Sequence, residues 1–426
     1  MPNLADADHG NDMRIHLLIL ALFAGLLFEQ MAGSACAQES PLVPPWGRDL
    51  DEVDPAAEQG HKESAPAHRD ESEQRRPWRF TADYWLGWTK NDRIPVLLTT
   101  GPTDDPRAGA LGREFTRIFY GDAVDFEERH GGRFTLEVPL GATGDWSLAA
   151  GYLFLDSRTV GPRELSPGSP ILARPFFNVV DKQEDSSLVT YPGLAGGSIA
   201  IRSDSLLQGA EANLLRAVRR EEHSFVALLV GLRYLKLDEN VTITEAARLS
   251  NRAPKFPGSN VSVYDRFGAD NDFFGGQIGG HFELTYHRWT LAVTSKVALG
   301  NVHESILIRG RTTIDTAPAT DEPAGLFALA TNSGRFSRNT FAVVPEVSGK
   351  IGFRVSERLS VFGGYTILYW NRIARPGEQI DRNLNPNLIP TSTKFGGPAD
   401  PPQPATLFRT NDYWAQGMTW GVEFRY

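Results

Sequence analysis

From Trp78 to the C-terminus the chain alternates between apolar and polar side chains with a period of two, the signature of strands. Read backwards from the end, Tyr426, Phe424, Val422, Trp420 and Met418 fall on one face. Arg425, Glu423, Gly421, Thr419 and Gly417 fall on the other. Phe134, Leu136, Val138 and Leu140 alternate in the same way with Arg133, Thr135 and Glu137. A turn at 141–145 then leads to Trp146, Leu148, Ala150, Tyr152 and Phe154. Trp289, Leu291, Val293, Val297 and Leu299 oppose Thr290, Thr294 and Lys296, and Phe341, Val343, Val347, Ile351 and Phe353 oppose Glu346, Ser348, Lys350 and Arg354. Leu359, Val361, Tyr365, Ile367 and Tyr369 share one face of the next strand. A soluble core does not place Glu and Lys so regularly on its inner face, whereas a lipid-facing wall around a polar lumen does. The pattern predicts an all-β fold, a transmembrane antiparallel β-barrel. Arg133, Glu137, Glu283, Glu346, Lys350, Glu423 and Arg425 are its expected lumen-facing charges.

The connections alternate in length, as expected for short periplasmic turns and long outer loops. Short turns fall near 141–145, 218–223, 286–288 and 355–358. Long connections fall near 89–131, 158–203, 239–270, 314–338 and 374–411. That pattern joins about ten strands with both termini periplasmic; a break near Asn301, or hairpins inside the long connections, would make twelve. Segments 271–286 and 339–354 exceed the roughly 10 residues of a tilted crossing, so strands should continue beyond the membrane.

Upstream the pattern changes. Ile15–Phe28 is a short apolar run followed by Ala35-Cys36-Ala37, which predicts a signal peptide over 1–37 cleaved after Ala37. Asp6, Asp8 and Asp12 ahead of Arg14 suit such a signal poorly, and a start at Met13 removes the conflict. Residues 38–77, rich in Pro, Asp, Glu, His and Arg, read as a disordered periplasmic linker, leaving 78–426 for the barrel. Mean hydropathy is slightly negative, which alternation alone produces in a barrel of this kind. The single cysteine, Cys36, precedes the cleavage point, so no disulfide framework is expected. A net charge of -9 without a basic stripe excludes a nucleic-acid partner.

Chemistry is sparse. Metalloprotease, phosphate-loop and serine-elbow motifs are absent from the sequence. Gly275-Gly276-Gln277-Ile278-Gly279-Gly280 opens a strand rather than a helix, so it lacks the helix N-terminus that holds phosphate. His130, His223, His281, His287 and His303 are the barrel-region histidines, and the pattern suggests catalysis at none of them. Neither a cofactor nor a metal is expected. Pro376, Pro386, Pro390, Pro398, Pro401, Pro402 and Pro404 mark a loop, read as exposed, with inward folding as the alternative.

Four stretches together resemble the beta-barrel porin-7 family, best known from planctomycetes. They are Phe80–Trp85 with Ile94–Gly101; Asn271–Gly279 leading to Ala298-Leu299-Gly300; Phe341–Val347 through Gly364-Tyr365, Tyr369-Trp370 and Arg375-Pro376-Gly377; and Asp412–Gly417 to Tyr426. The resemblance covers 78–426 and implies a Gram-negative-type outer-membrane barrel with a pore, without catalytic residues. Met418, Trp420, Val422, Phe424 and Tyr426 resemble the signal read by the barrel-assembly machinery. The expected function is a porin-like passive diffusion channel with long extracellular loops, its partners being outer-membrane lipid, the assembly machinery and small solutes or ions. The alternatives are a structural or surface-display barrel with a plugged lumen, an outer-membrane hydrolase, and a secreted soluble β-protein.

Overall fold

The computed structural model describes residues 77–141 and 144–426; the signal peptide, the Met13 start and nearly all of the linker lie outside the described residues. Seventeen strands follow in chain order: β1 (Arg79–Thr89), β2 (Asp92–Thr100), β3 (Arg117–Val124), β4 (Arg129–Leu140), β5 (Trp146–Val160), β6 (Arg163–Ser166), β7 (Ala173–Asn178), β8 (Gln183–Leu188), β9 (Ala195–Arg220), β10 (Ser224–Leu249), β11 (Asn260–Tyr286), β12 (Trp289–Ile314), β13 (Thr320–Glu322), β14 (Gly334–Arg354), β15 (Leu359–Ala374), β16 (Asn383–Leu384) and β17 (Thr410–Arg425).

Ten of them close a ring in the order β1-β4-β5-β9-β10-β11-β12-β14-β15-β17 and back to β1, every contact antiparallel. β12 passes Asn301 unbroken, and the strands inside the connections join other partners, so the ring has ten strands rather than twelve. Closure pairs the chain's ends, from Arg79 opposite Arg425 to Thr89 opposite Ala415. The Trp78 N–H donates to the Tyr426 carbonyl at 2.9 Å and the Tyr426 N–H donates back at 3.0 Å. Ring closure pairs the two ends of the sheet; the upper part of β14, beyond Glu346, is not paired with β15. The outward positions of its lower half carry exposed apolar groups, including Tyr84, Phe134, Leu148, Leu232, Ile278, Leu299, Ile351 and Trp420.

Strands β9, β10 and β12 have 26 residues each and β11 has 27. At about 3.3 Å per residue they are far longer than a band of about 25 Å requires, even when tilted. The stretch 239–270, expected as a connection, is therefore mostly strand: β10 and β11 run on as a hairpin whose tip is 250–259. The two stretches expected to be long strands are longer still, 260–286 and 334–354. In these extensions the alternation inverts. Val241 and Ile243 point inward and are fully buried, while Thr242 and Thr244 face outward.

The tall wall β9–β12 needs a covering layer, and the connections supply one. A second sheet, β16-β7-β2-β3 with β8 beside β7, comes from three separate connections. Its Ile94, Leu97, Leu98 and Phe176, with Leu172 just before β7, share one apolar cluster with Ile199, Ile201, Val241, Ile243, Val263, Phe267 and Ile308 of the wall. The outer part is thus a dry two-layer packing like that of a soluble sandwich. Connection 375–409 joins it, with Ile380, Leu384 and Ile389 buried in the same cluster. This part of the proline-rich segment folds inward, contrary to the exposed reading, while its tip near 393–402 stays exposed. Asp265 pins another connection: its carboxylate accepts from the N–H groups of Leu326, Phe327 and Ala328 at 3.0, 3.0 and 2.8 Å, and from Arg174 at 2.6 Å.

Candidate functional site: the barrel lumen

Alternation sends every second side chain of the ten strands into the lumen. Arg133, Glu137, Glu283, Glu346, Lys350, Glu423 and Arg425 all line one cavity of about 190 Å³ at the end of the barrel that carries Arg79 and Arg425. Arg79, Glu211, His281 and Lys296 line it too, with Asp83 and Arg233 buried nearby. These groups were missing from the sequence-based set, although the same parity rule reaches them. His281 lies only two residues before Glu283 on the same face of β11, so parity alone would have paired it with that predicted lumen charge.

Glu346 is the hub. It is fully buried; Arg133 lies 2.9 Å away, Lys296 lies 3.4 Å away, and Arg233 donates to its other oxygen. Lys296 also meets Glu211 at 2.8 Å. Lys350, on the same face of β14, turns instead to Asp83 at 2.6 Å. Nearer the short-turn end Arg425 donates to Glu423 at 2.7 Å, Arg79 reaches Glu283 at 3.2 Å, and His281 sits 3.6 Å from Glu283. Buried charge is tolerated only when paired in this way.

Above this network the lumen is apolar. Trp85, Leu153, Leu235, Phe273, Val344, Leu368 and Trp370 meet in one cluster, each at most 5% exposed. Phe273 meets Trp370 edge-on at 6.0 Å between ring centroids. Trp85 lies across the lumen because position 417 is glycine: a Cβ there would sit 2.6 Å from the indole nitrogen. Among the described residues, the Nε1 atoms of Trp85 and Trp370 have no hydrogen-bond partner.

A second buried polar layer follows where the connections enter. Arg375 holds Glu239 bidentately at 2.9 and 2.8 Å, donates to the carbonyls of Lys90 and Asn91 at 3.0 and 2.9 Å, and lies 3.5 Å from Asp92. Asn271 both donates to the Ala374 carbonyl at 2.8 Å and accepts from its N–H at 2.7 Å. Two carboxylates thus share one guanidinium. Burial pushes the Asp92 carboxyl, which lies on β2 in the covering sheet, up to about 7; Arg375 opposes that push and Glu239 adds to it. The folded protein therefore holds this proton more tightly than the unfolded chain. The associated stability is complete below about pH 4 and lost as pH rises through about 7. We expect the urea midpoint of the detergent-solubilised protein to fall between pH 5 and 8, and Asp92→Asn to flatten that fall. A wild-type midpoint that climbs over this range, or an unchanged slope in the mutant, refutes the assignment.

The remaining candidates separate in space. Met418, Trp420, Val422 and Phe424 stand on the outer face and Tyr426 is exposed at the periplasmic end. His223 and His287 occupy turns, His130 pairs outward with the Tyr84 hydroxyl at 2.6 Å, and His303 faces out toward Asn339 at 3.0 Å. Among the described residues no group of three or more His, Cys, Asp or Glu side chains could hold a metal ion.

No curated protein matches the chain. Among solved structures, the outer membrane protease OmpT from Escherichia coli aligns with a TM-score of 0.38 at 11% identity, covering 83% of this chain and 100% of that one. A FadL homologue from Pseudomonas aeruginosa aligns with a TM-score of 0.21 at 7% identity, covering 83% and 90%. A refined porin structure aligns at 0.13 and 11%, covering 82% and 100%. Likeness at this level carries no statement about activity. The family match does carry weight, because it spans the whole ring: residues 79–426 match the family described as "Putative beta barrel porin-7". With its closed ten-stranded ring, lipid-facing wall and charged lumen, the chain belongs to that family of outer-membrane β-barrels.

Proposed function

We propose that this protein is a porin-type outer-membrane barrel that is shut at rest. The observation that carries the reading is the apolar layer of Trp85, Phe273 and Trp370, stacked between two buried charge networks. A hydrated ion crossing it would have to shed its water among groups that offer no replacement ligands. The ring size supports the same reading, since barrels near eight strands fill their interior with side chains and open channels typically need about sixteen. Folded wild-type protein in planar bilayers should give conductance near the lipid baseline. Steady, ohmic single-channel currents from well-folded protein sink the proposal and favour the second reading, a passive diffusion channel, which the family description and the charged periplasmic cavity support.

The connections that form the outer layer would face the cell exterior, and the barrel would serve to hold that layer there. Its partners would be outer-membrane lipid and the assembly machinery, with small solutes or ions entering only the periplasmic cavity. We assign it no catalytic role. Export would proceed through the signal peptide, with the mature chain beginning at Gln38 after cleavage behind Ala37.

A further inference from the structure

The wall has one interruption. Pairing between β14 and β15 runs from Arg354 opposite Ser360 to Glu346 opposite Leu368 and stops there, although β14 continues to Gly334. The next residue on β14 is Pro345. Along a strand the N–H and C=O of successive residues point alternately to the two neighbours. The Val343 N–H donates to the Asn371 side chain at 2.8 Å, so the odd-numbered residues here face β15. Pro345 is one of them and has no N–H to give. From there β15 parts from β14 and stays in the wall through β17 alone. Its pairing with β17 slips between Trp370 and Ile373, Arg372 takes a φ of 52°, and Ala374 is held inside by Asn271. The interruption lies at the depth of lipid-facing groups, since Phe341 is 58% exposed on the same strand and Leu299 47% on the next. Unpaired backbone at that depth is costly unless protein covers it. What covers it here is the apolar layer: Ala342, Val344, Leu368 and Trp370, all fully buried.

We propose that this seam is a lateral entry from the hydrocarbon of the membrane, and that the apolar layer behind it binds a small apolar molecule bearing a hydrogen-bond acceptor such as an ester or ketone oxygen. The class follows from the lining. The side chains of the layer are apolar apart from the Tyr413 hydroxyl, the buried indole N–H donors of Trp85 and Trp370 lack acceptors, and charged networks close the layer above and below against ions. Trp370 sits on β15 just beyond its last pair with β14, so widening the gap between β15 and β14 moves the side chain that fills the layer.

The test is cysteine accessibility in liposomes, in a Cys36→Ser background. Val344→Cys, with Ala342→Cys as a second reporter should the first fail to fold, is compared with Ile243→Cys in the outer packing. The probes are N-(1-pyrenyl)maleimide dissolved in the bilayer and a sulfonated maleimide in the buffer. The seam predicts that position 344 reacts with the pyrene reagent about tenfold faster than position 243, reflecting a cheaper local opening, and hardly at all with the sulfonated one. Pro345→Ala, which restores the missing N–H, should slow that reaction. Ethyl benzoate should protect position 344, and propylbenzene, of similar size without an acceptor, should protect less. No reaction at 344, equal reaction at 344 and 243, or faster reaction with the sulfonated reagent overturns the lateral entry. Protection by neither compound overturns the binding site, and equal protection overturns the role of the indoles.

Discussion

Deleting Phe424-Arg425-Tyr426 should leave the protein unfolded in the periplasm, where it is degraded. Three losses coincide at these residues. Phe424 pairs with both Phe80 and Leu359, so its removal shortens the closing strand on both sides. Tyr426 exchanges two hydrogen bonds with Trp78, and Arg425 ties Glu423 to the lumen network. Local closure and recognition by the assembly machinery are separable, because the aromatic side chains do not make the backbone ladder. Phe424→Ala combined with Tyr426→Ala keeps every ladder bond while removing the outward aromatics. If the terminal pattern is an assembly signal, that double variant should also drop outer-membrane protein about tenfold or more while refolding normally in detergent; a factor of ten corresponds to about 1.4 kcal/mol. Normal outer-membrane levels with heat-modifiable mobility would show that the motif is only a strand.

Glu346→Gln should be the most destabilising conservative change in the lumen, by about 3–5 kcal/mol, because it leaves Arg133, Arg233 and Lys296 facing one another with Glu211 and the more distant Asp83 as the remaining counter-charges. The side chains concerned are nearly solvent-free, at 13%, 1% and 6% exposure around a carboxylate at 0%, so water cannot replace the lost charge. Arg233→Gln added to Glu346→Gln should recover part of the loss by removing one excess cation. Arg425→Gln should cost much less, since its guanidinium is more exposed and its partners Glu423 and Glu283 both retain Arg79. Urea titration in detergent reads the stability and planar bilayers read conduction. Unchanged stability of Glu346→Gln together with altered ion selectivity would mean that the lumen is hydrated and open, contrary to the reading adopted above.

The number of strands was legible because lipid imposes a strict rule: outward apolar, inward polar, every second residue, through segments such as Phe134–Leu140 and Met418–Tyr426. The lengths were not. Beyond about Lys236 on β10 the solvent changes from hydrocarbon to water and the rule reverses, so Asn240, Thr242 and Thr244 on the outside resemble a loop to any search for outward apolar groups. Lumen-facing charges were recoverable from parity alone, whereas their partners were not. Glu346 and Lys350 are four residues apart on one face, yet each pairs across the lumen with a different strand, a choice set by barrel curvature rather than by sequence spacing. The Trp85–Trp370 layer had no local signal, because its members stand on nine strands and look like ordinary strand residues individually.

The covering sheet draws its strands from places far apart in the chain: β2 and β3 precede most of the wall, β7 and β8 come before the four long strands, and β16 arrives after all but the last strand of the ring. β16 pairs with β7 across some two hundred residues. The covering sheet therefore cannot be complete until residues 383–384 are in place, with only β17 of the ring still to follow. The last strand of the covering sheet and the closing strand of the wall thus come from the same C-terminal stretch of chain, so one late segment completes both layers.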